Sequence, residues 1–185
     1  MGFRYELRLS GEGGQGLVLA GKILAEAAAI YEDYNATQSQ SYGPEARGGA
    51  SKSEVIISDG EIDYPKAENL DLLLALTQEA CNKYIDDLGP NGILVIDQDA
   101  VQQIPKGEWK VHPVPLIRLA REKVGRAIVA NIVALGLIVR LMNVVGDESA
   151  EQAILARVPK GTEDLNLRAF RLGLEVADDL KVAAD

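Results

Sequence analysis

The run Gly11-Glu12-Gly13-Gly14-Gln15-Gly16 constrains the fold of this chain more than any other feature. The alternating segment Phe3–Ser10 before it reads as a first strand. Leu17–Tyr31 follows at once, rich in Ala, Leu and Ile with only Lys22 and Glu26 charged, and reads as a largely buried helix. Glycines at such a junction let the backbone reverse tightly, and unpaired amides at the helix start favour a negatively charged group. A strand passing through glycines into a buried helix is the opening of an α/β domain.

The remaining chain keeps that alternation as far as about residue 115. Asn35–Tyr42 is a polar, strand-tolerant stretch leading into a second glycine-bearing loop, and Ser51–Ser58 reads as a strand buried at Val55-Ile56-Ile57. Leu70–Leu76 and Gly92–Ile96 are short apolar runs suited to central strands, with a helix expected between them over Gln78–Leu88. Trp109–Val114, interrupted by Pro113, fits only an edge strand. Beyond it the pattern is helical: Leu116–Lys123, Arg126–Val145, Ser149–Arg157 and Glu163–Val182. The expected architecture is a three-layer α/β/α sandwich around a mostly parallel or mixed sheet with C-terminal helices. It reads as a single domain over 1–185, with an α/β core to about residue 115 and a helical part from about 116, since 185 residues suit one core better than two.

Bulk chemistry removes several function classes. A formal net charge of −9 argues against a nucleic-acid partner, which needs a basic surface. The one cysteine, Cys81, rules out an internal disulfide and any cysteine-ligated cluster within the chain, and fits the cytoplasm. Ala127–Val145 carries Asn131, Arg140 and Asn143, so it reads as a buried helix and no membrane span. Within it, Ala127–Val139 has only Asn131 polar; we expect part of that surface to meet another subunit and Asn131 to find a hydrogen-bond partner. The only histidine, His112, is flanked by edge-strand signals and reads as a surface or capping residue, and Cys81 as a small packed one. No nucleophile–base pair or metal-ligand cluster emerges, so neither catalytic nor metal-binding residues are expected.

The first loop satisfies the spacing G-x-G-x-x-G, and Glu32 and Asp33 lie about 20 residues on, where a dinucleotide fold carries its ribose-binding acid. That acid belongs at the end of a second strand, yet Leu17–Tyr31 leaves no room for one. Three readings stay open: a dinucleotide site in a stand-alone protein, glycines serving only close packing, or a loop that accepts an anion or docks a partner.

The second loop, Ser41-Tyr42-Gly43-Pro44-Glu45-Ala46-Arg47-Gly48-Gly49, holds Glu45 and Arg47 between glycines. An arginine there can present its donor fork to a phosphate or carboxylate, or simply pair with Glu45. These two loops, with Ala20-Gly21, Leu24-Ala25-Glu26-Ala27, Ser53-Glu54-Val55, Ile62-Asp63-Tyr64-Pro65, Asp71–Leu76, Asn131 and Leu135-Gly136, closely resemble the gamma subunit of 2-oxoacid:ferredoxin oxidoreductases.

The resemblance implies a non-catalytic subunit of an enzyme that oxidatively decarboxylates a 2-oxoacid to an acyl-coenzyme A and reduces ferredoxin. Thiamine diphosphate and iron–sulfur clusters would sit in alpha and beta subunits, with a delta subunit in some members. This chain would hold no cofactor of its own and would contribute to assembly and to the coenzyme A environment. Gly11, Gly13, Gly14, Gln15 and Gly16, with Tyr42, Gly43, Arg47, Gly48 and Gly49, are the residues the resemblance brings toward coenzyme A or the partners. Of the 2-oxoacids, 2-oxoglutarate is preferred, and the corresponding indolepyruvate subunit is the alternative within the family.

Overall fold

The structure, a computed structural model, describes residues 2–41 and 50–183. Six strands form one sheet: β1 (Arg4–Glu12), β2 (Asn35–Ser41), β3 (Ala50–Ser58), β4 (Leu70–Ala75), β5 (Leu88–Asp97) and β6 (Lys110–Val114). Their order across the sheet is β2-β3-β1-β4-β5-β6. Pairing is parallel from β1 through β4 and β5 to β6, and antiparallel where β3 meets β1 and β2. The mixed α/β sheet expected from the sequence is present.

Alternation along the central strands sends side chains to two unequal layers. Leu7, Leu9, Val55, Ile57, Leu72 and Leu74 enter the larger core, beneath the helices α1 (Leu17–Glu26), α4 (Ala130–Met142), α5 (Asp147–Arg157) and α6 (Glu163–Val182). Ile56, Leu73, Ala75, Leu94 and Ile96 face the other way, under α2 (Gln78–Tyr84). The short α3 (Leu116–Leu119) follows β6. On the α2 side the β1–β3 region is polar: Arg8 is buried against Glu54, and Lys52 joins the same carboxylate at 2.6 Å.

Several boundaries differ from the expectation. The helix over Leu17–Tyr31 ends in a wider π turn at Ala27–Tyr31. Asn35–Ser41, read as a polar approach to a loop, is a full strand at the sheet margin, where one open edge makes polar side chains inexpensive. Helix α2 stops at Tyr84, and Leu88 already pairs with Leu70; a shift of register by three residues within 89–92 then precedes the pairing of Ile93 with Leu72.

The largely apolar helix finds its cover within the chain. Every α4 residue from Ala130 to Val139 is buried. Helix α6 approaches so closely that a Cβ on Gly136 would stand 2.0 Å from the Phe170 carbonyl oxygen, and one on Gly173 2.1 Å from that of Val133. The subunit surface expected along this helix is therefore largely internal core; the exception is Ile128, just before it, which remains 62% exposed. No helix among the described residues is long and apolar enough to cross a membrane.

Candidate functional site

The glycine loop stands at the carboxyl end of β1, the end at which α/β sheets present ligands. Two bonds hold its strand to β4: the Leu76 amide donates to the Ser10 carbonyl at 3.0 Å, and Ser10 Oγ donates to the Leu74 carbonyl at 2.7 Å. The loop is then closed on itself. The Glu12 amide donates to Gln15 Oε1 at 2.7 Å, and the Gln15 amide donates to the Glu12 carbonyl at 3.3 Å. Gln15 is thereby a brace of the loop and is not aimed at solvent alone.

Gly14 and Gly16 adopt positive φ, 89° and 74°, which L side chains disfavour. Gly16 caps α1 without any side-chain partner, and its carbonyl receives both the Ala20 amide and Nδ2 of Asn131, each within 3.1 Å. Asn131 thus has the partner expected for a buried amide, contributed by the loop itself. Around Gly13 and Gly14 no heavy atom lies within 4 Å of where a Cβ would stand, so their backbone is open to an incoming group.

Two clefts share Gly14 and Gln15. One, of about 410 Å³, runs over Glu12 to Leu19 and is bordered by Lys22 and Ser51. Lys22 is exposed and has no carboxylate within ion-pairing distance among the described residues. The second, of about 260 Å³, is apolar and lined by Leu76, Ile117, Ala127, Ile128 and Ala130. Its wall is set by buried Asp97 at the end of β5, whose Oδ2 accepts the Ile117 amide at 3.0 Å while Oδ1 accepts the amides of Asp99 and Ala100.

The loop residues Gly11, Gly13, Gly14, Gln15 and Gly16 therefore lie together. Tyr42, Gly43, Arg47, Gly48 and Gly49 lie outside the described residues, but their flanks do not: β2 ends at Ser41, and β3 begins at Ala50, directly opposite Glu12. Sequence reasoning missed Lys22 and Ile117 as cleft residues. For Lys22 a signal was available, since the two charges of α1, Lys22 and Glu26, are four residues apart and mark its outer face; Glu26 there pairs with Arg157.

Burial pushes the Cys81 thiol up, and burial together with Lys110 holds the His112 imidazole below its usual range. Neither residue lines either cleft. Among the described residues no group of three or more His, Cys, Asp or Glu is placed to hold a metal ion. The strand following α1 is separated from β1 by β3, so the adjacent strand–helix–strand unit of a dinucleotide fold is not formed.

These features define an α/β protein that offers a backbone-lined cleft beside an apolar one at the carboxyl end of its strands. Residues 6–176 match the family described as pyruvate ferredoxin/flavodoxin oxidoreductase. A 2-oxoglutarate synthase subunit KorC of Methanocaldococcus jannaschii is 53% identical over 179 residues, covering 96% of this chain and 96% of that protein. The gamma subunit of a keto/oxoacid ferredoxin oxidoreductase from Geobacter sulfurreducens superposes with a TM-score of 0.87 at 56% identity, covering 95% of this chain and 99% of that one. The same fold recurs at 21% identity and a TM-score of 0.83 in 31% of a longer chain of a Magnetococcus marinus 2-oxoglutarate:ferredoxin oxidoreductase. The chain belongs to the pyruvate ferredoxin/flavodoxin oxidoreductase family, as a gamma subunit of a 2-oxoacid:ferredoxin oxidoreductase.

Proposed function

We propose that this gamma subunit serves a 2-oxoglutarate-oxidising enzyme, binding coenzyme A at the glycine loop while alpha and beta subunits hold thiamine diphosphate and the iron–sulfur clusters. The choice of 2-oxoglutarate over indolepyruvate rests on the 53% identity to a 2-oxoglutarate synthase subunit. The cofactor division rests on side-chain chemistry: an ordinary cluster needs four cysteine thiolates, and the one cysteine here is buried on the inner face of α2. The setting is cytoplasmic, in keeping with that free thiol.

The observation that carries the coenzyme A assignment is the open backbone at Gly13 and Gly14, at the N-terminal end of α1 and beside Lys22. Amides at a helix start and a free ammonium complement a phosphate. Arg47, on the second loop, would supply a further donor fork. When bound, coenzyme A accepts the acyl group; the role of this chain is to orient it and exclude water.

Gly13→Asp places a carboxylate in this opening, where a Cβ meets no heavy atom within 4 Å. In the assembled enzyme it should raise the KM for coenzyme A about tenfold or more while leaving that for 2-oxoglutarate unchanged, a loss equal to one charge-assisted contact. Arg47→Ala should act in the same direction. An unchanged coenzyme A dependence in both variants removes the assignment.

A further inference from the structure

The acidic chain contains one basic strip. Four of its 19 Lys and Arg residues, Arg118, Arg121, Lys123 and Arg126, fall in the nine positions Arg118–Arg126, against a single acid, Glu122. All four are exposed. Arginines elsewhere are neutralised locally: Arg4, Arg8, Arg140, Arg157, Arg168 and Arg171 each meet a carboxylate, as Arg118 meets Asp99 at 3.2 Å. Among the described residues only Arg121 and Arg126 have no such partner, and both lie in this strip.

Position adds a second observation. The strip runs from α3 to the turn at Gly125 and ends two residues before Ile128, the exposed branched residue that walls the apolar cleft. Unpaired guanidinium groups close in sequence to an exposed apolar side chain have the composition of a protein interface, in which an apolar anchor is accompanied by charges that guide the encounter. In a chain of net charge −9, the strip is also the place where an acidic partner is attracted rather than repelled.

We propose that the Arg118–Arg126 strip and Ile128 form the surface on which a neighbouring subunit of the same enzyme docks, through an acidic rim around an apolar socket that receives Ile128. This rests on the reading of the chain as a working subunit of a larger enzyme. Arg121, Lys123 and Arg126 accelerate the encounter and set its salt dependence; Ile128 slows dissociation.

The test uses the full-length chain and the remaining subunits of the enzyme, mixed while association is followed by surface biosensing at low and high salt. The triple variant Arg121→Glu/Lys123→Glu/Arg126→Glu should associate about tenfold or more slowly at low salt and lose most of its salt dependence. Ile128→Asp should chiefly raise the dissociation rate, and Lys160→Glu, a single such exchange at an exposed lysine outside the strip, should do neither. Circular dichroism checks that each variant is folded. Wild-type chain that binds the other subunits, with the strip variants binding equally well, overturns the surface assignment alone. Intact assembly with a weakened response to coenzyme A overturns it too, by giving the strip to the ligand's phosphates. Wild-type chain that binds no other subunit removes the subunit reading and this proposal together.

Discussion

Asn131 Nδ2 donates to the carbonyl of Gly16 at 3.0 Å, joining the first glycine loop to the start of α4 across 115 residues of sequence. The bond ties the end of the loop, which the helix α1 alone would leave adjustable, to the most deeply buried helix of the protein. A Cβ on Gly16 would stand 2.4 Å from that same Nδ2, so loop and amide are fitted to each other.

Gly16→Ala therefore meets two penalties: a left-handed backbone costing about 1–2 kcal/mol for an L residue, and displacement of the Asn131 bond, worth about 1 kcal/mol. Asn131→Ala loses only the second. Gly13→Ala, with open space around it, should stay within about 0.5 kcal/mol of the parent. Urea unfolding of the three variants should rank them in that order; equal midpoints would show that the loop is not held by this contact.

The crossing of α4 and α6 admits no side chain at Gly136 or Gly173. Gly136→Ala must push Phe170 and its backbone away, costing about 1–3 kcal/mol by overpacking. Thermal unfolding reads this as a Tm lowered by several degrees, and the helix-favouring nature of alanine will not rescue it.

Glu54 sits between Arg8 and Lys52. Burial alone pushes its carboxyl up, but the Lys52 hydrogen bond and the Arg8 charge and hydrogen bond more than offset this and leave it below its usual value of 4.5. A carboxyl lowered on folding contributes stability above its unfolded pKa and loses it as pH falls through the folded one. Glu54→Gln should cost about 3 kcal/mol near neutrality, at the low end for a broken buried pair because Arg8 keeps Asp87. The gap from wild type should close as pH drops below 4.5. A gap independent of pH would contradict the ion-pair account.

Tyr5, at the opposite end of β1, has its phenol pushed from 10 up to about 12 by burial and then by the Asp71 carboxylate. A pKa raised on folding leaves stability intact below 10 and erodes it as pH rises toward 12. Ultraviolet titration should show a late phenol ionisation that disappears in Tyr5→Phe, and that variant should resist alkaline unfolding better than the parent.

The central strands and the glycine loop were legible in the residues because they depend on local pattern. Leu70–Ala75 and the end of β5 are apolar runs with few alternatives, and the run from Gly11 to Gly16 has little choice but to turn. Strand β2 was harder to read, since Asn35–Ser41 lacks the apolar half of a strand and becomes one through pairing with β3. Leu88 likewise carries the pattern of a helix end but is claimed by Leu70.

By itself the sequence determined an acidic α/β chain with two glycine-bearing loops, one cysteine and one largely apolar helix, because composition and periodicity act over neighbouring residues. Only the tertiary structure decided that this apolar helix is covered by α6, that Asn131 closes on Gly16, and that Ile128 is left exposed. Those outcomes depend on which faces meet between elements distant in sequence, and burial rewards any apolar cover equally until the packing of Gly136 against Gly173 selects one.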